Sequence, residues 1–241
     1  MRNHLITGGA LLALAMASTS AFAVGNGLPF TFREFFVGGG ALMHPVPADS
    51  FDGTYYSCVH FQNANSIVES GFMWLSSFQD TSGVEDSQLN YFQANGYHLY
   101  VNYRLQADRC DASGTCNNLP RASYAVNNAN LDLWSDPNSD TTLTINNCQV
   151  LIQNNADDVL LGSAADLTTG QKIETADQAA GDFDLQFDDW AFTAAGQQIF
   201  RTGANPFAAH NLVFDGNVTL LGGAINMDHH PEGSGNLYWV D

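Results

Sequence analysis

Residues 96–107, GYHLYVNYRLQA, place Tyr97, Leu99, Val101, Tyr103 and Leu105 at every second position, with His98, Tyr100, Asn102 and Arg104 between them. A period of two belongs to a half-buried β-strand, whose successive side chains point to opposite faces, whereas a helix repeats its apolar residues every three or four. The stretch therefore predicts a strand with one face in a core. The alternation recurs in NANLDLWSD (128–136) through Leu131 and Leu133, and in TTLTINNCQVLI (141–152) through Leu143 and Ile145. It returns in DFDLQFDDWAF (182–192) through Phe183, Leu185 and Phe187. HNLVFDGNVTLLG (210–222) reads as a strand, an Asp215-Gly216 turn and a second strand. Residues 82–96 have room for a helical turn, and 157–171 read as a strand followed by a loop. Many short alternating strands without a helical period predict an all-β fold, an antiparallel β-sandwich of jelly-roll-like form with little helix.

The chain begins with Arg2 ahead of an apolar run that ends in Ala21-Phe22-Ala23, the pattern of a signal peptide cleaved after residue 23. The run is too short to span a bilayer, and no later segment has the length of a membrane-spanning helix. Residues 24–241 are expected to form a single β-sandwich domain, with 24–50 an extended leading segment in which Pro45 and Pro47 favour extended backbone. The chain carries 7 Lys and Arg against 25 Asp and Glu, a formal charge of −18 at pH 7. Such a balance excludes nucleic acid as a partner and suits divalent cations or a highly charged soluble surface.

Cys58, Cys110, Cys116 and Cys148 make an even number in a chain expected to be exported, so disulfides are expected rather than zinc, for which no C-x-x-C spacing is present. Cys110 and Cys116 bracket a short turn-forming loop that a local bridge could close, leaving Cys58 to Cys148; other pairings stay open.

LWSDPNSDTTL (133–143) sets Asp136, Asn138 and Asp140 two apart, as in the first half of a calcium loop. Thr141 and Asn147 stand where an EF-hand needs Gly and Glu, so the segment reads first as a turn. A β-type calcium site would borrow Asp157 and Asp158, or Asp188 and Asp189. Asp182, Asp184, Asp188 and Asp189 offer paired carboxylates of the kind a glycosidase uses, although alternation puts most of them on a solvent face. Asp189 falls in the apolar register. His210, His229 and His230 are a candidate transition-metal group. His44, His60 and His98 are isolated. Trp74, Trp134, Trp190 and Trp239 could stack on sugars, with Trp239 near the terminus the best exposed candidate. No G-x-S-x-G, phosphate-binding glycine loop, H-E-x-x-H or C-x-x-C-H occurs.

DPNSDTTLT, ADDVLLGSAADLTTG, GDFDLQFDDWAFTAAGQQIF and NPFAAHNLVFDGNV resemble, in order and spacing, the flocculation-associated exported bacterial proteins that usually carry a PEP-CTERM sorting tail. The resemblance covers residues 131–222. It implies an exported surface or matrix protein linked to cell aggregation and exopolysaccharide, and it brings no catalytic residues. The family's Pro-Glu-Pro motif, hydrophobic span and terminal basic residues are not matched by HHPEGSGNLYWVD (229–241). The resulting expectation is a secreted, non-enzymatic protein of the cell surface or biofilm matrix, with the periplasm as a second location. Its partners would be itself or polysaccharide, with calcium as the cation. The alternative is an extracellular carbohydrate-binding module or a glycosidase using the Asp182–Asp189 strand.

Overall fold

A computed structural model of the chain describes residues 27–33, 45–63, 65–79, 85–86, 97–109, 123–174, 180–188, 190–208, 211–221 and 230–240. The expected signal peptide (1–23), Cys110, Cys116, Asp189, His210 and His229 lie outside the described residues, as does most of 82–96. Strands β1 (Phe30–Arg33) and β2 (Pro45–Ala48) come first, followed by the long β3 (Ser50–Asn63) and β4 (Ser66–Gln79) and the short β5 (Glu85–Asp86). Next are β6 (His98–Arg109), β7 (Ser123–Asp136), β8 (Thr142–Asn146), β9 (Gln149–Gln153), β10 (Val159–Ala164) and β11 (Asp166–Glu174). The remainder is β12 (Ala180–Asp188), β13 (Ala191–Phe192), helix α1 (Ala194–Ile199), β14 (Phe200–Thr202), β15 (Asn205–Pro206), β16 (Asn211–Leu221) and β17 (His230–Val240).

The main sheet runs β11-β12-β16-β17-β3-β4-β6-β7-β10-β13, and β11 also pairs with β7 through Gln171–Ala125, Lys172–Tyr124 and Ile173–Ser123. The sheet therefore closes on itself, so that β11 is paired on both sides rather than left as an edge that promotes aggregation. Its opposite walls pack face to face as sandwich layers do: the rings of Tyr103 on β6 and Phe214 on β16 lie 5.2 Å apart, as do those of Tyr55 on β3 and Phe183 on β12. The antiparallel, helix-poor architecture is the expected one. Its connectivity is a meander, each long strand beside its predecessor, rather than the crossed-over path of a jelly roll; sequential strands are the commonest neighbours.

Residues 96–107 behave as their alternation predicts, with Tyr97, Leu99, Val101, Tyr103 and Leu105 all buried in the core. Glu69 is buried on β4 and accepts a hydrogen bond of 2.9 Å from the Tyr103 hydroxyl. Gly71 makes room for that phenol, since a Cβ there would stand 2.6 Å from its oxygen.

Three expectations need correction. Asp215 and Gly216 form no turn but lie within the unbroken strand β16, because a Cβ at Gly216 would meet the Phe183 ring at 2.8 Å and the Ser234 carbonyl at 2.6 Å. The glycine serves close packing across the sheet rather than a change of direction. Residues 159–174 are strand nearly throughout, β10 pairing one half of β7 and β11 the other. Trp239 is fully buried, 0 % exposed, where β1, α1 and β14 close one end of the sheet. Its ring packs within 6.0 Å of those of Phe30, Phe51, Trp190, Phe192, Phe200 and Phe207, so it offers no sugar platform. The leading segment supplies β1 and β2 to this four-stranded cap.

Among the described residues no helix is long and apolar enough to cross a membrane. The main core lies inside the closed sheet, while Asn102, Arg104, Asp132, Asp184 and Asp215 occupy outward positions.

Candidate functional site

The outward positions of β3, β4, β6 and β7 fall into rows across the sheet. Thr54, Trp74, Tyr100 and Trp134 form one, Tyr56, Phe72, Asn102 and Asp132 the next, and Cys58, Ser70, Arg104 and Asn130 the third. Three residues of the first row and two of the second are aromatic, and an aromatic outer face needs a cover. The β8–β9 hairpin provides it. Leu143, Ile145, Val150 and Ile152 pack with Phe72, Trp74, Tyr100 and Trp134 in a second apolar cluster separate from the main core.

Local chemistry fixes the hairpin at both ends. Asn146 pairs with Gln149, leaving Asn147 and Cys148 as a two-residue turn with φ of 49° and 53°. Two left-handed residues define the turn whose twist suits a hairpin, a conformation Asn tolerates and Cys seldom adopts. Cys148 is held there by a disulfide to Cys58 on β3, with Cα atoms 5.0 Å apart. This is the pairing left over when Cys110 and Cys116 are joined to each other, and those two cysteines lie outside the described residues.

At its base, the candidate calcium loop is a turn. Asp136 is completely buried and accepts from the backbone N–H of Asn138 at 3.3 Å and of Thr141 at 3.0 Å, one on each carboxylate oxygen. Asn138 accepts in turn from the Asp140 N–H at 3.3 Å. His98 stands 3.8 Å from Asp136. Asp158 accepts from the Thr141 hydroxyl at 2.8 Å and from the Tyr100 hydroxyl at 2.5 Å, which ties the base of the hairpin to β6. Burial pushes the Asp158 carboxyl up, with these hydrogen bonds opposing it, and burial, followed by the hydrogen bond to Asp158 and then its charge, raises the Tyr100 phenol far above its ordinary range. Asp140 and Asp157 are exposed. Among the described residues no three His, Cys, Asp or Glu side chains are grouped to hold a metal ion.

Where the tip of the hairpin meets the second and third rows, a cleft of about 340 Å³ opens. Ser70, Asn102, Arg104, Asn130 and Asp132 line its floor, and Gln149 and Val150 its hairpin side. Ser70 is only 5 % exposed. No side-chain hydrogen bond or ion pair joins these polar groups to another described residue, so their donors and acceptors are available to a ligand. Burial raises the proton affinity of Asp132. The sequence marks Asn102 and Arg104 only as the polar face of a strand. Alternation marks Asn130 and Asp132 in the same way, while Ser70 and Gln149 carry no local signal, because the overlap of residues 149–150 on three distant strands creates the site.

The opposite wall differs. Asp184 on β12 stands directly across from Asp215 on β16, and the row continues through Asn236 on β17 to Asp52 on β3. Asp215 accepts from the Asn236 amide at 3.0 Å and the Tyr238 hydroxyl at 3.3 Å. Burial raises the proton affinity of both Asp184 and Asp215, and the Asp184 charge adds to the effect on Asp215. Of the carboxylates from 182 to 189, Asp184 thus gains an acidic partner outside that segment. Neither member of the pair lines the cleft. Asp188 pairs in register with Asp166, and His230 with Leu221. No family model, curated protein or solved structure matches the chain.

Proposed function

We propose that this chain is an exported, non-enzymatic polysaccharide-binding protein of the bacterial cell surface or matrix, and that a saccharide unit occupies the cleft beside the β8–β9 hairpin. The observation that carries the reading is the set of unpartnered side chains there: the amides of Asn102, Asn130 and Gln149, the Ser70 hydroxyl and the Asp132 carboxyl. Sugars are recognised by such convergent planar amides and carboxyls, with an apolar contact, here Val150, for the ring's C–H face. The cleft lies on rigid strands and is braced by a disulfide, so little ordering cost accompanies binding. Calcium, in this proposal, bridges exposed carboxylates such as Asp140 and Asp157 between molecules rather than ordering the 136–141 loop, whose Asp136 already has an amide on each oxygen.

The test is a titration of the purified protein with bacterial exopolysaccharide fragments by calorimetry. Replacing Asn102 and Asn130 together by Ala is expected to weaken binding by about tenfold or more, through loss of hydrogen bonds aimed at the sugar, while leaving the melting temperature in place. Unchanged affinity in the double variant would remove the cleft from the account.

A second reading, hydrolysis by Asp184 and Asp215, is favoured by their direct opposition and raised proton affinity. Release of reducing sugar by the wild type and its loss in Asp215→Asn would establish it. The binding proposal expects no release.

A further inference from the structure

We infer that the cleft selects a saccharide bearing a carboxylate, seated on Arg104; this rests on the saccharide reading above and names its ligand class. Arg104 is exposed at the cleft, and no carboxylate or carbonyl among the described residues is paired with it. Arg201 shows the contrasting case, its guanidinium spent on the carbonyls of Gln197 and Ala204. In a chain with 7 basic and 25 acidic residues, a guanidinium left open between the neutral groups of Ser70 and Asn130, with the Asp132 carboxyl one row away, is the feature that would recognise an anion. Its planar fork of donors matches a carboxylate two oxygens at a time.

The surroundings set the direction of the ligand. Arg104 stands between Ser70 and Asn130 in one row, and Asp132 lies beside Asn102 in the next. Rows two residues apart along a strand are separated by about 6.5 Å, a distance one sugar ring spans. The acid group of a uronic acid then sits at the Arg104 and Ser70 end, and its hydroxyls reach Asn102 and Asp132, which accepts rather than repels them. The opposite wall presents Asp184 and Asp215, so an anionic saccharide is held off there and admitted at Arg104.

The test compares oligomers of galacturonate, glucuronate and mannuronate with their carboxyl-reduced counterparts, by calorimetry, with a chelator present so that calcium bridging does not contribute. At least one acidic form is expected to bind about tenfold or more tightly than its reduced form. Arg104→Gln should erase that preference, and Arg104→Lys should restore only part of it. Equal binding of acidic and reduced forms, with Arg104→Gln silent, overturns the inference and leaves the saccharide reading standing. Failure of every acidic and neutral saccharide, exopolysaccharide fragments included, overturns both. Unchanged melting temperatures in both variants separate ligand recognition from loss of fold.

Discussion

The two outer walls of the closed sheet start from the same sequence device and end differently. On β12, β16 and β17, the outward residues Asp184, Asp215 and Asn236 form a polar row in which Asn236 donates to Asp215 and Asp184 faces it as a like charge. On β4, β6 and β7, the outward residues include Phe72, Tyr100 and Trp134, and a hairpin lies over them. Alternation gives each wall an inner and an outer face. A second layer turns one outer face into an apolar interface with a polar cleft at its margin. The comparison teaches that a site on a β-sheet arises where a covering element ends, because polar groups there line a cleft without being paired.

The largest blow to the covered wall is loss of its clasp. Changing Cys58 and Cys148 to Ser removes a bridge between residues 90 apart and should cost about 2–5 kcal/mol, read as a lowered melting temperature. Saccharide affinity should fall with it, since Gln149 and Val150 would no longer be held at the cleft. A smaller loss is expected at the base of the hairpin. Tyr100→Phe removes the hydroxyl bonded to Asp158 and should cost about 1.5–3 kcal/mol by denaturant titration.

The bare wall should respond with the opposite sign. Asp184→Asn relieves a like-charge pair and should stabilise the protein by up to about 1 kcal/mol near neutral pH. The sign of its pH dependence follows from burial, which makes the folded state hold the Asp184 and Asp215 protons to higher pH than the unfolded chain does. Their contribution to stability therefore falls as pH rises from the ordinary value of 3.8 through the shifted one, and the loss persists above it. Melting curves taken from mild acid to neutrality should show the gain from Asp184→Asn growing with pH. The smallest change is expected from added calcium on the monomer: no rise in melting temperature, with any effect appearing in light scattering as association.

The difference between the walls also marks what a linear reading could reach. The period of two at 96–107 identifies the core face of β6 because burial there depends only on which side of the strand a residue occupies. Asp136-Pro137-Asn138 is legible as a turn because Asp136 bonds to amides two and five residues away. Tyr100 is not legible as buried, since its cover comes from Leu143 and its neighbours, folded back over the wall. Asp215-Gly216 misleads for a related reason: the ring of Phe183, on a neighbouring strand, decides what the glycine is for. The short helix α1 rests on Thr193, whose hydroxyl accepts from the Gly196 N–H, a cap too brief to stand out among strands.

The most direct test of the account follows backbone amide signals by nuclear magnetic resonance during titration with an exopolysaccharide or uronic-acid oligosaccharide. The account predicts that the largest shifts fall on Ser70, Asn102, Arg104, Asn130, Asp132 and Gln149, with Asp184, Asp215 and Asn236 unmoved. Shifts centred on the β12–β16–β17 wall would contradict it.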